Sequence, residues 1–185
     1  MPITIGAKPE SDFTDPIGML GDCHRRIERF LNVLATLAAE YMGRPLTDEH
    51  RTALGTSLRY FREAAPKHTA DEEESLFPRL KQSSDPMALA LMARIDSLEQ
   101  DHECAKKLHD EVDQFGQRWI TTGTLPSEEA NRMAKAVDQL VDLYKSHIAI
   151  EDSEVFPLAR TVLPAADRHS VGIEMAARRD PKHFT

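Results

Sequence analysis

Apolar residues recur at alternating four- and three-residue spacing through four long stretches of the chain, the period of helices that each bury one face. The first seam is Leu20, His24, Ile27, Leu31, Leu34 and Ala38, and the second is Leu54, Leu58, Phe61, Ala65, His68, Glu72 and Ser75. The third runs Leu91, Ile95, Leu98, His102, Ala105, His109 and Val112, and the fourth Met133, Val137, Leu140, Tyr144, His147, Glu151 and Glu154. Start and stop signals bound these stretches. Asp15-Pro16 and Asp85-Pro86 each put an amide acceptor before a residue with no donor, Thr47 is a cap, and Glu128 and Glu129 follow Ser127 where the helix dipole favours acids. Gly43 fits a stop after the first helix, and Gly123 sits in the turn after the third. The predicted helices span about 16–42, 47–80, 86–120, and 127 to near Pro157. Pro66 is expected to kink or break the second just before His68. Short connections between such helices predict an all-α, up-down-up-down four-helix bundle over residues 15–160. Residues 1–14 lack a period and form an N-terminal arm, and residues 161–185 form a short C-terminal tail with helical character.

The polar residues inside the seams carry the chemistry. His68 to Pro78 and His147 to Pro157 repeat one skeleton: a His, a Glu four residues later (Glu72, Glu151), then Phe-Pro (Phe77-Pro78, Phe156-Pro157). Four residues apart on a helix is one turn on the same face, so each copy sets an imidazole beside a carboxylate. His24 and His102 stand in the seams of the other two helices, and the His24-to-His68 and His102-to-His147 spacings agree to within one residue, so the chain reads as two copies of a helix pair. A single seam histidine is more often a hydrogen-bonded core residue than a ligand, but four His and two Glu in one repeated arrangement are another matter. Two carboxylates in a bundle core without a countercharge would cost several kcal/mol each or be forced to protonate. A metal removes that difficulty. Four imidazoles and two carboxylates exceed what one tetrahedral zinc needs, and a carboxylate can bridge, so two octahedral-leaning ions fit best, iron first with manganese or zinc behind it. Ferritin-type sites use a Glu-x-x-His spacing, so the likeness to them is architectural only. Of the other acids in the first copy, Asp71 and Glu74 are expected to form a solvated face.

Composition narrows the class further. At 185 residues with 41% hydrophobic and 29% charged side chains, one soluble domain is expected. A net charge of -8 and a pI near 5.5 argue against a nucleic-acid surface. The two cysteines, Cys23 and Cys104, make neither a disulfide framework nor a thiolate zinc site, and both are read as free thiols beside ligand histidines. No signal peptide or membrane-length apolar run is visible, so a cytoplasmic protein is expected.

With those residues in view, the chain resembles the hemerythrin-like (HHE cation-binding) domains over about residues 15–160. The resemblance implies a non-haem di-iron centre, carboxylate-bridged and open to an oxo bridge, with Glu72 and Glu151 as bridging carboxylates and His24, His68, His102 and His147 as terminal ligands. It implies binding of dioxygen, nitric oxide or peroxide, or sensing of redox state, and it leaves any protein partner unnamed. A di-iron peroxidase or oxidase, or an interaction module with a structural metal, are the alternatives, so whether the chain is an enzyme stays open. Oxygen carriers of the family supply a further His one turn after the third-helix His, where this chain has Lys106. His50, Glu103, Glu73 or a water are the substitutes in reach, while His109 stands about 10 Å along the axis from His102. That departure shifts the expectation from oxygen carriage toward redox sensing, oxidant consumption or nitric oxide handling. Tyr144, one turn before His147, is placed either to touch a ligand or to be a satisfied core hydroxyl. Tyr144, His109, Glu103 and Glu73 are thus the candidate neighbours of the centre, and Trp119 is read as packing.

Overall fold

The computed structural model describes residues 11–42 and 44–179 and is all-helical, with no strand among them. The expected stop at Gly43 and most of the N-terminal arm lie outside the described residues. Helix α1 spans Pro16–Tyr41, capped by the Asp15 carboxylate accepting from the Gly18 amide. Helix α2 (Asp48–Glu63) is capped by Thr47. The chain breaks at Ala64 and restarts as α3 (Ala65–Ala70), with Pro66 in the first turn, where its missing N–H costs nothing. The expected disturbance before His68 is therefore a break followed by a restart.

The next stretch, Asp71–Leu76, is a π-helix leading into α4 (Phe77–Lys81), and the fourth run repeats this, with α7 (Ser127–Ile150) passing through the π-helix Glu151–Val155 into α8 (Phe156–Val162). The Phe-Pro pair supplies the cause. A proline ring clashes with the carbonyl four residues back, here Glu74 and Ser153, and a widened turn relieves it. Accordingly the Phe77 and Phe156 amides donate to the carbonyls of Glu72 and Glu151, five residues back. The expectation that Pro157 weakens or ends the fourth helix is met by a widened turn, and the run continues to Val162.

The third run is split. Helix α5 (Pro86–Ala90) takes the Asp85-Pro86 start, and α6 (Met92–Thr122) follows after Leu91, ending at Gly123 with φ 80°, in the left-handed region. A last helix, α9 (Ala165–Ala177), lies on α1 and the first π-helix. Helix α1 packs on α2 and α7, and α6 packs on the same two. The seams face inward: of the residues named above, all are buried except Leu91, His109 and Glu154, which are partly so. Two apolar clusters result. One holds Ile27, Ala65, Ala105, Tyr144 and Ile148, the other Leu20, Leu76, Leu98 and Val155. His24, His68, Glu72, His102, His147 and Glu151 lie on their helices between the two clusters and form a polar layer. No helix among the described residues is long and apolar enough to cross a membrane.

Candidate metal centre

Six side chains from four runs converge in that layer. His24, His68, Glu72 and Glu151 form one cluster and Glu72, His102, His147 and Glu151 another; within each, one ligand atom per residue lies within 4.8 Å of the rest, and all are buried. The two glutamates belong to both clusters. Glu72 turns Oε1 toward His68 Nε2 (3.3 Å) and His24 Nε2 (3.9 Å), and Oε2 toward His102 Nε2 (3.4 Å). Glu151 Oε2 faces His24 Nε2 at 3.0 Å and His147 Nε2 at 3.2 Å.

Each of three rings is aimed by a second carboxylate on its other nitrogen. His24 Nδ1 pairs with Asp152 (2.8 Å), His102 Nδ1 with Glu73 (2.8 Å), and His147 Nδ1, more loosely, with Asp101 (3.4 Å). A proton on Nδ1 donated outward leaves the Nε2 lone pair facing the cluster, the tautomer a metal ligand needs. The duplicated phenylalanines stack on the same rings. Phe156 lies 5.1 Å from His24 at 16°, and Phe77 lies 6.4 Å from His102 at 9°.

Electrostatics inside the layer are unbalanced without a cation. Burial, then repulsion from Glu151, pushes Glu72 up to about 7. For Glu151 burial acts the same way, but the close His147 and His24 imidazoles, 3.2 and 3.0 Å from Oε2, outweigh it and hold the carboxyl well below the usual range. Burial opposes a charge on His24 and His102, yet the surrounding carboxylates prevail and raise them to about 10 and about 9. His68 goes the other way, lowered by burial and by the neighbouring imidazoles. All four carboxylate oxygens of Glu72 and Glu151, with Nε2 of His24 and of His147, are buried and lack a hydrogen bond of good geometry. Donors of this hard and borderline type, unsatisfied and shared between two imidazole pairs, suit divalent first-row ions.

A hemerythrin HHE cation binding domain model matches residues 15–159. The chain belongs to that family. Over 171 residues it is also 30% identical to a protein of Haemophilus influenzae described as uncharacterized, covering 92% of this chain and 93% of that one. The HHE match spans every residue of the two clusters, and their composition fits the cation binding in the family's description.

The other expected neighbours of the HHE centre are distributed unevenly. Glu73 touches His102 as above. Tyr144 sits with its hydroxyl 3.1 Å from His109 Nε2, so the satisfied-hydroxyl reading describes it, and burial lowers His109 to about 4. Lys106, Glu103, His109 and Tyr144 line a cavity of about 540 Å³ that reaches His102 between α2, α3 and α6. His50 is elsewhere, against the Tyr41 ring at 3.9 Å. Trp119 is packing, fully buried with its indole N–H donating to the Arg44 carbonyl.

Both cysteines are free thiols, Cys23 buried and Cys104 exposed. One expectation is corrected. Asp71 is fully buried, whereas Glu74 is solvated as expected. The reason is α9: Arg178 Nη1 and Arg179 Nη2 reach Asp71 at 2.9 and 2.5 Å, a long-range partnership that nothing in residues 68–78 announces. Sequence reasoning also missed Asp152 and Asp101. For Asp152 a signal exists, since an acid directly follows the glutamate in both copies of the repeat.

Proposed function

We propose that the chain is a non-haem di-iron protein, built as an up-down-up-down four-helix bundle, that binds or senses dioxygen, nitric oxide or peroxide in the cytoplasm. The observation that carries this reading is the sharing of Glu72 and Glu151 between two imidazole pairs, with all four carboxylate oxygens buried and unsatisfied. His24 and His68 would hold one ion and His102 and His147 the other, with both glutamates bridging. Such an ion pair, when bound, supplies electrons and an open coordination position for small oxidants. The chain's residues do the rest. Asp152, Glu73 and Asp101 fix three ring tautomers, the two apolar clusters exclude bulk water, and the cavity beside His102 admits a small ligand. Lys106 stands at its wall where a further histidine would complete an oxygen carrier's ligand set, which supports sensing or oxidant handling over carriage.

A second reading, a di-iron peroxidase or oxidase, is favoured by the size of the cavity. About 540 Å³ far exceeds the roughly 30 Å³ share of a water-sized molecule, leaving room for an organic reductant. Protein expressed with iron, assayed for metal content and for an aerobic absorption spectrum before and after dithionite, tests both. Near two irons per chain with a near-ultraviolet charge-transfer band that bleaches on reduction supports the di-iron reading, and turnover of peroxide with a reductant then selects the enzyme. A single zinc with a flat spectrum overturns it in favour of an interaction module with a structural metal.

A further inference from the structure

The two halves of the centre correspond in their ligands and in the acid after each glutamate, and they differ at the residue before the first histidine. Glu72-Glu73 corresponds to Glu151-Asp152, and in each half the acid after the glutamate takes the Nδ1 proton of the other half's seam histidine, His102 or His24. The paired rings also approach alike: His24 and His68 centroids lie 5.0 Å apart, and His102 and His147 lie 4.7 Å apart. Asp101, just before His102, reaches His147 Nδ1. The corresponding residue, just before His24, is Cys23. Its sulfur accepts from Arg26 at 3.0 Å, and His68 Nδ1 is left buried with no hydrogen-bond partner among the described residues.

We propose that Cys23 makes the two metal positions unequal, so that the ion held by His24 and His68 is the weaker and exchangeable one, and Asp101 is the positioning residue that makes the other the tighter. The inference rests on the di-iron reading above. A carboxylate on the far nitrogen fixes the ring and raises the basicity of the ligating one, and its loss commonly costs 10- to 100-fold in metal affinity. His68 has no such anchor. Three of four rings are held, and the fourth is free to release its ion first.

The test is anaerobic Fe(II) titration of the metal-free full chain against a competing chelator. Wild type is expected to show two classes of site separated by roughly 10- to 100-fold. Cys23→Asp combined with Arg26→Met, which removes the competing guanidinium, supplies the missing acid and should close most of that gap by strengthening the weaker class. Asp101→Asn should weaken the tighter class, with Asp101→Glu restoring it, while the melting temperature of the metal-free protein stays put; a packing role would move the melting temperature instead. Two equal sites in wild type, or Asp101→Asn weakening only the weaker class, overturns the inference while leaving the di-iron reading intact. No Fe(II) binding by wild type overturns both.

Discussion

Asp71 gives the sharpest stability prediction because its carboxylate is fully buried and its countercharges come from a helix end more than a hundred residues away. Arg179 makes two contacts to it, Nη1 to Oδ1 at 3.2 Å and Nη2 to Oδ2 at 2.5 Å, and Arg178 adds Nη1 to Oδ1 at 2.9 Å. Replacing both arginines with alanine strands a charge in the interior, for which about 3–5 kcal/mol is typical. The arginine side chains are 19% and 25% exposed, so water can enter after truncation and the lower part of that range is expected. For a chain of this length each kcal/mol moves the melting temperature by about 2–4 °C, so a drop on the order of 6–15 °C should appear in a thermal melt of the metal-free protein. Adding Asp71→Leu to the double variant removes the stranded charge and should recover much of the loss, which a general defect in α9 would not allow. A loss below about 1 kcal/mol, the scale of exposed ion pairs, would refute the reasoning.

Further expectations follow from other places in the fold. On the proposed bridging, Glu72→Ala or Glu151→Ala should abolish two-metal stoichiometry in elemental analysis, because each carboxylate would hold both ions, while Glu74→Ala, exposed and outside the layer, should not; equal metal content in all three would sink the bridge. His109 is neutral in the folded chain, lowered to about 4 by burial, and the unfolded value is near 6.5. Its contribution is fully present above about pH 6.5 and is lost as pH falls toward 4, by at most about 3 kcal/mol, so urea midpoints of His109→Gln should decline less steeply than wild type across that window. Gly116→Ala puts a Cβ 2.6 Å from a buried Leu58 methyl and should cost about 1–3 kcal/mol in denaturant unfolding. Gly21→Ala, which meets nothing within 4 Å in the interior of α1, should instead stabilise by about 0.5–1 kcal/mol.

Much of this protein is written locally. The seam spacing, the Asp-Pro starts, the Thr47 cap and the left-handed Gly123 are properties of a few neighbouring residues, and the helices they announce lie within a few positions of expectation. The repeated His, Glu and Phe-Pro skeleton likewise singles out four of the six side chains that converge in the polar layer, His68, Glu72, His147 and Glu151, and the seam spacing supplies His24 and His102, since burial on a helix face follows from period alone. What the period cannot carry is which side chain meets which across helices. The widened turns arise from proline acting on a carbonyl four residues back, and a chemist reading Phe-Pro as a helix stop misses that a neighbouring run can hold the helix together around it. Asp71 reads as one acid in an exposed run until α9 folds over it. Asp152 beside His24 and Asp101 beside His147 are pairings between distant segments, set by the rotation and depth at which the helices pack. Sequence determined the inventory of the layer and its twofold repetition; the tertiary structure decided the partners of each ring, because contact between helices depends on distances that no local spacing encodes.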